Sequence, residues 1–177
     1  MIIFSQVGYF MVEIGSIRTQ STSEHFLKNI LVVAISSAIY FFVGFGFSME
    51  AHGGIIGQEY FLGIGFKIHE YPKFLFYYSL CIMMASIATA PIAERTSLDT
   101  YIFFTFLTSS LIFPTIMAWC WEDGWLQNIG FRDYGGAGMV HMTAGIAGFV
   151  GAYLTGPRLC KFHREPSIEY FLDPENF

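Results

Sequence analysis

The chain has 177 residues, 54% of them hydrophobic and 13% charged, where a soluble domain carries roughly 45–50% apolar and about 25% charged residues. That balance excludes an ordinary soluble domain. A net charge of −5 leaves no basic face to neutralise phosphates, which excludes a nucleic-acid partner.

The apolar residues lie in blocks. Met1–Val12 is uncharged, Glu13 interrupts it, and the apolar character resumes to Ile17 ahead of Arg18. We expect a helix over 2–16, and not a secretory signal, because the segment has neither a basic start nor a small-residue cleavage pattern. Glu13 is then an acid inside the membrane, which needs a partner. Asn29–Met49 (21 uncharged residues), Phe74–Ala93 (20) and Thr100–Trp121 (22) follow, and Tyr134–Pro157 (24) holds only His141 as a titratable group. Each exceeds the ~18 residues that mark a spanning helix, which predicts helices at about 27–49, 73–93, 99–121 and 136–156. Pro91 and Pro114 fall inside the third and fourth, where each removes a backbone donor and should kink its helix unless neighbours compensate. Glu94-Arg95 reads as an end-of-helix pair. Gly145, Gly148 and Gly151 recur at helical spacing in the fifth helix, and small residues let backbones approach closely in lipid. The expected fold is all-α: a polytopic membrane domain of five helices over 1–160, followed by a polar tail over 161–177 that reads as an interaction segment.

Five crossings put the termini on opposite sides. Arg18, Lys28, Arg95, Arg158, Lys161 and Arg164 then share one side, and Lys67, Lys73 and Arg132 the other. The positive-inside rule places the larger set and the C-terminus in the cytoplasm or mitochondrial matrix, with the N-terminus outside. Plasma membrane and mitochondrial inner membrane both fit. Cys81, Cys120 and Cys160 define no disulfide framework or metal motif. His25, His52, His69 and His163 stand in loops or the tail without ligand spacing, so no metal and no cofactor are expected. No nucleophile–base constellation or nucleotide loop points to an enzyme.

Two blocks carry more specific information. One is Ala93-Glu94-Arg95-Thr96. The other runs from Gly130-Phe131-Arg132-Asp133-Tyr134-Gly135-Gly136-Ala137-Gly138-Met139-Val140-His141 on to Gly156-Pro157-Arg158. With Trp121 ahead of Asp133, and with Gly8 to Arg18 and Lys28-Asn29 upstream, the chain resembles the ammonium transporter family (Amt, Mep and Rh proteins) over about residues 4–162. The resemblance implies an eleven-helix channel of two inverted five-helix repeats, usually trimeric, with a pore in each subunit. This chain resembles the N-terminal repeat only. Carried over by resemblance, Trp121 is the cage tryptophan that recruits ammonium, Phe76 its aromatic neighbour, Asp133 the buried acid beneath the mouth and His141 the first pore histidine. Leu80 stands at the first gate position in place of a phenylalanine. Glu122-Asp123-Gly124 stands where the family has a glycine run, and Pro91 replaces a small residue.

Each of these residues has a plainer reading. Asp133 at a helix N-terminus can cap exposed N–H groups. Trp121 and Trp125 suit a membrane interface without any ligand, although an indole face also attracts ammonium. His141 lies about 12 Å deeper than Asp133 at ~1.5 Å per residue. A neutral imidazole there can bond ammonia or pass a proton, or it can bond a neighbouring helix. Two functions follow as expectations. One is ammonium or ammonia conduction, provided that a partner supplies the missing second repeat. The alternative is a non-conducting accessory subunit of a larger membrane complex that retains the half-transporter scaffold. The expected surroundings are the lipid bilayer, other membrane subunits and ammonium.

Overall fold

A backbone that crosses hydrocarbon must satisfy its own polar groups, and a continuous helix does so within one segment. The computed structural model describes residues 2–49, 55–57, 60–121 and 123–157, and these are helical, without strands. The expected tail lies outside the described residues, with Arg158, Cys160, Lys161, His163 and Arg164, and so do His52 and Glu122. Helix α1 is Ile2–Ser16, α2 is Thr22–Ser48 and α3 is Ile68–Ile92. Helix α4 joins Leu98–Leu107, a π-helical segment Thr108–Ile112 and Phe113–Cys120. A short α5, Trp125–Asn128, precedes α6, Ala137–Thr155.

Four of these, α2, α3, α4 and α6, are long and apolar enough to cross a membrane. Helix α1 is not. Its 15 residues reach about 22 Å at ~1.5 Å per residue, short of a hydrocarbon core of ~30 Å. Among the described residues there are therefore four candidate crossings, and the expected helix over 2–16 is present as the shorter α1.

Helix α3 is the centre, in contact with α1, α2, α4 and α6. Its buried face presents Leu80, Cys81, Met84 and Ala88 to Tyr40 and Phe45 of α2, Phe113 and Met117 of α4, and Met139, Val140 and Ala144 of α6. Hydroxyl pairs tie the helices across this apolar core: Ser109 to Ser36 at 2.8 Å, Tyr78 with Ser37 at 2.6 Å, and Tyr101 to Thr89 at 3.1 Å. Such bonds are worth about 0.6 kcal/mol each in membrane bundles.

The two prolines are absorbed locally. Pro91 sits in a terminal 3₁₀ turn, Ala90–Ile92, and Pro114 enters α4 immediately after the π-helical segment. A π-helical turn shifts the ladder and accommodates a residue that cannot donate. A second π-helical segment, Tyr40–Gly44, lies in α2. Gly44 has no room for a side chain, since a Cβ there would lie 2.6 Å from the Ser109 carbonyl oxygen and 3.2 Å from Pro114 Cγ.

At the end of the bundle where α3 terminates, basic side chains close the helices. Lys28, 2% exposed, donates from Nζ to Glu24 Oε1 at 2.6 Å, to the Ala93 carbonyl at 2.8 Å and to the Thr96 carbonyl at 3.3 Å. The two carbonyls belong to the turn that ends α3, where exposed acceptors favour a cation. Arg95 Nη1 donates to the Gly156 and Ala152 carbonyls at 2.8 and 3.4 Å and so closes α6. Glu94 Oε1 accepts from the Arg18 backbone N–H at 3.0 Å. The Glu94-Arg95 dipeptide thus reaches to two different neighbours.

The three helical glycines of α6 do not share one role. A Cβ at Gly148 would lie 2.9 Å from Pro91 Cγ, and one at Gly151 would lie 2.8 Å from Ile92 Cγ2. One at Gly145 meets nothing within 4 Å. The close approach of α6 to α3 therefore rests on Gly148 and Gly151, and the expectation for Gly145 is corrected.

Candidate functional site

An aromatic recess forms where α4 ends beside the third turn of α3. Trp121 bonds its N–H to the Met117 carbonyl at 2.9 Å and then turns to extended backbone, φ −124° and ψ −174°. Its indole stacks on Phe76 with ring centroids 6.1 Å apart and planes 10° apart, and meets the Tyr77 ring at 5.8 Å and 61°. Phe76 remains 43% exposed, so the recess is open on one side. Lys73 Nζ lies 5.8 Å from the Tyr77 ring centroid; an ammonium group of the chain itself already uses a face of this cluster. Trp125 is not part of the recess and instead packs edge-on against Trp119.

Asp133 precedes α6. Its Oδ1 accepts from the Gly138 N–H at 2.6 Å, which caps an otherwise unbonded amide of the first turn. Its Oδ2 is buried and has no hydrogen-bond partner among the described residues. The intervening turn depends on glycine: Gly135 and Gly136 have φ of 64° and 83°, and a Cβ at Gly136 would come within 3.0 Å of Val140 Cγ2. Leu80, 2% exposed, packs beside this turn within the core formed by Met84, Met139 and Val140. One turn of α3 separates it from Phe76.

His141 does not join these residues. It lies on the face of α6 that the described chain leaves uncovered, together with Ile146, Phe149 and Val150. The structure thus unites Trp121 with Phe76, sets Asp133 on the start of α6 and Leu80 against the adjoining turn, and leaves His141 facing outward. Tyr77 and Lys73 were missed by the sequence reading. Their signal is the i, i+4 spacing of a cation and an aromatic ring on one helix face.

An all-helical membrane protein with an open aromatic recess at the end of α4 and a capping carboxylate ahead of α6 is the class that this geometry defines. Residues 1–174 match the family model described as Ammonium Transporter Family. The chain is 34% identical over 170 residues to Ammonium transporter 3 of Dictyostelium discoideum, covering 93% of this chain and 38% of that protein. It is 31% identical over 173 residues to Ammonium transporter 1 member 3 of Solanum lycopersicum, covering 92% and 38%. Among solved structures, a Sensor Amt Protein superposes with a TM-score of 0.85 at 30% identity, covering 92% of this chain and 44% of that one. The chain belongs to the ammonium transporter family. It spans about two fifths of the length of the curated relatives it matches, 38% in both cases.

Proposed function

We propose that this chain provides the recruiting mouth and one wall of a path for ammonium. The observation that carries the reading is the open Phe76–Trp121 stack with Tyr77 at its edge. The electron-rich faces attract a cation worth about 2 kcal/mol when it is desolvated, and the unpaired Oδ2 of Asp133 favours positive charge nearby. The names of the relatives, ammonium transporters of an amoeba and a plant, agree with that chemistry. In this reading the path continues past Leu80 to His141, whose imidazole bonds ammonia or passes a proton. A second set of helices covers the His141 face. The Trp121 end faces outward and the end carrying Arg18, Lys28 and Arg95 faces inward.

Trp121→Leu tests the mouth. In cells without their own ammonium transporters, with the partners coexpressed, the variant should raise the KM for methylammonium uptake about tenfold, by loss of a cation–π contact. Trp121→Phe should recover part of the loss. An unchanged KM in Trp121→Leu would remove the recess from the path.

Leu80 favours the second reading, a non-conducting accessory subunit, because an aliphatic side chain fills the core at the gate position. Absence of uptake by a wild-type complex that assembles normally supports that reading.

A further inference from the structure

The aromatic recess carries a cation of its own. Lys73 stands one helical turn ahead of Phe76 and Tyr77 on α3, and side chains three and four residues apart share one stretch of helix surface. Its Nζ lies 5.8 Å from the Tyr77 ring centroid, within the ~6 Å over which an aromatic face holds an ammonium. The Tyr77 ring in turn stands 5.8 Å from the Trp121 indole. A single ring therefore separates the Lys73 ammonium from the Phe76–Trp121 stack that the mouth presents.

The carboxylates of this region have other duties. Glu70, the acid nearest to Lys73 in the chain, accepts from the Lys67 backbone N–H at 3.1 Å and from the Tyr60 hydroxyl at 2.9 Å, which ties it to the turn that opens α3. Asp133 Oδ1 caps the Gly138 amide. An incoming cation thus meets an electron-rich stack with a fixed positive charge beside it. Like charges about 10 Å apart near a protein surface repel enough to change an affinity about fivefold, and the effect depends on charge rather than on ligand size.

We propose that Lys73 sets the affinity of the recess. Its ammonium occupies one aromatic face of the cluster and repels an arriving cation, so the mouth fills at a higher ammonium concentration than the bare stack would require. This deepens the reading of the recess as a cation mouth and rests on it. Ammonium, methylammonium and tetramethylammonium carry the same single charge, and Lys73 weakens all three by the same factor.

Equilibrium binding of radiolabelled methylammonium to the full chain in phosphatidylcholine nanodiscs tests this, with Trp121→Leu defining the portion bound at the recess. Lys73→Met keeps the aliphatic stem without the charge and should tighten the Trp121-dependent binding about fivefold at ~0.01 M ionic strength, where the Debye length is about 30 Å. Lys73→Arg keeps the charge and should bind within about twofold of the wild type. In ~1 M sodium chloride, where that length falls to about 3 Å, the gap between Lys73→Met and the wild type should close. Tetramethylammonium, used as a competitor, should show the same dependence on Lys73. Trp121-dependent binding that is equal in Lys73→Met and the wild type at low salt would overturn this inference and leave the mouth standing. A gap that persists at high salt would overturn it as well, because a change in ring placement is not screened. Absence of Trp121-dependent binding in both chains would remove the cation mouth itself, and the role of Lys73 with it.

Discussion

Gly148→Leu should lower the thermal midpoint of the solubilised protein by about 10 °C. A Cβ at this position stands 2.9 Å from Pro91 Cγ and 3.5 Å from the Ala88 carbonyl oxygen. Neither neighbour can rotate away, because one is a ring fused to the backbone and the other is backbone. Overpacking of this kind costs about 3 kcal/mol, and each kcal/mol moves the midpoint by roughly 2–4 °C in a chain of this size. Gly145→Leu is the matched comparison, since its Cβ meets nothing within 4 Å. Equal losses in the two variants would show that the approach of α6 to Pro91 is not what holds these helices together.

Lys28→Ala should be comparably damaging at the turn that follows Pro91. It strips the Ala93 and Thr96 carbonyls of their ammonium donor, while Glu24, whose side chain is 61% exposed, is simply released to water. A buried acceptor left without a donor costs ~1–3 kcal/mol, so the pair should lose about 3 kcal/mol. Hydrogen exchange at the amides that follow α3 should accelerate about a hundredfold, the equivalent of that energy. Lys28→Met keeps the aliphatic stem and isolates the ammonium contribution. Exchange unaltered in both variants would mean that Lys28 does not hold the end of α3.

The helices were readable because lipid leaves an uncharged run of sufficient length few structural choices. Asn29–Met49 and Thr100–Trp121 announce themselves in that way, and length alone separates α1 from them. What the runs do not encode is the tertiary approach that reshapes them. Two of the three π-helical segments among the described residues, Tyr40–Gly44 and Thr108–Ile112, lie where Gly44 meets the Ser109 carbonyl, a contact between residues far apart in sequence. Lys28 shows the same limit. As a letter beside an apolar block it reads as a charge at the membrane edge, and only the turn ending α3 makes it a buried cap.

The candidate site was legible unevenly for a related reason. Trp121, Phe76, Asp133 and His141 came from resemblance to a family motif. Their separate geometries, a stacked pair, a helix cap and an uncovered histidine, depend on packing that a motif does not describe. Tyr77 escaped notice because an aromatic residue on an apolar helix resembles ordinary core, and its position beside Trp121 requires the end of α4 to fold back toward α3.

Methylammonium uptake by the wild-type protein and by His141→Ala, coexpressed with the partners and compared at equal membrane levels, tests the ammonium path most directly. An imidazole that bonds or deprotonates the permeating species contributes roughly 10²–10⁴-fold when proton transfer limits the rate. The wild type should therefore show saturable uptake that ammonium competes away, and His141→Ala should reduce it about a hundredfold. Undiminished uptake in His141→Ala would contradict the assignment of this face to the path.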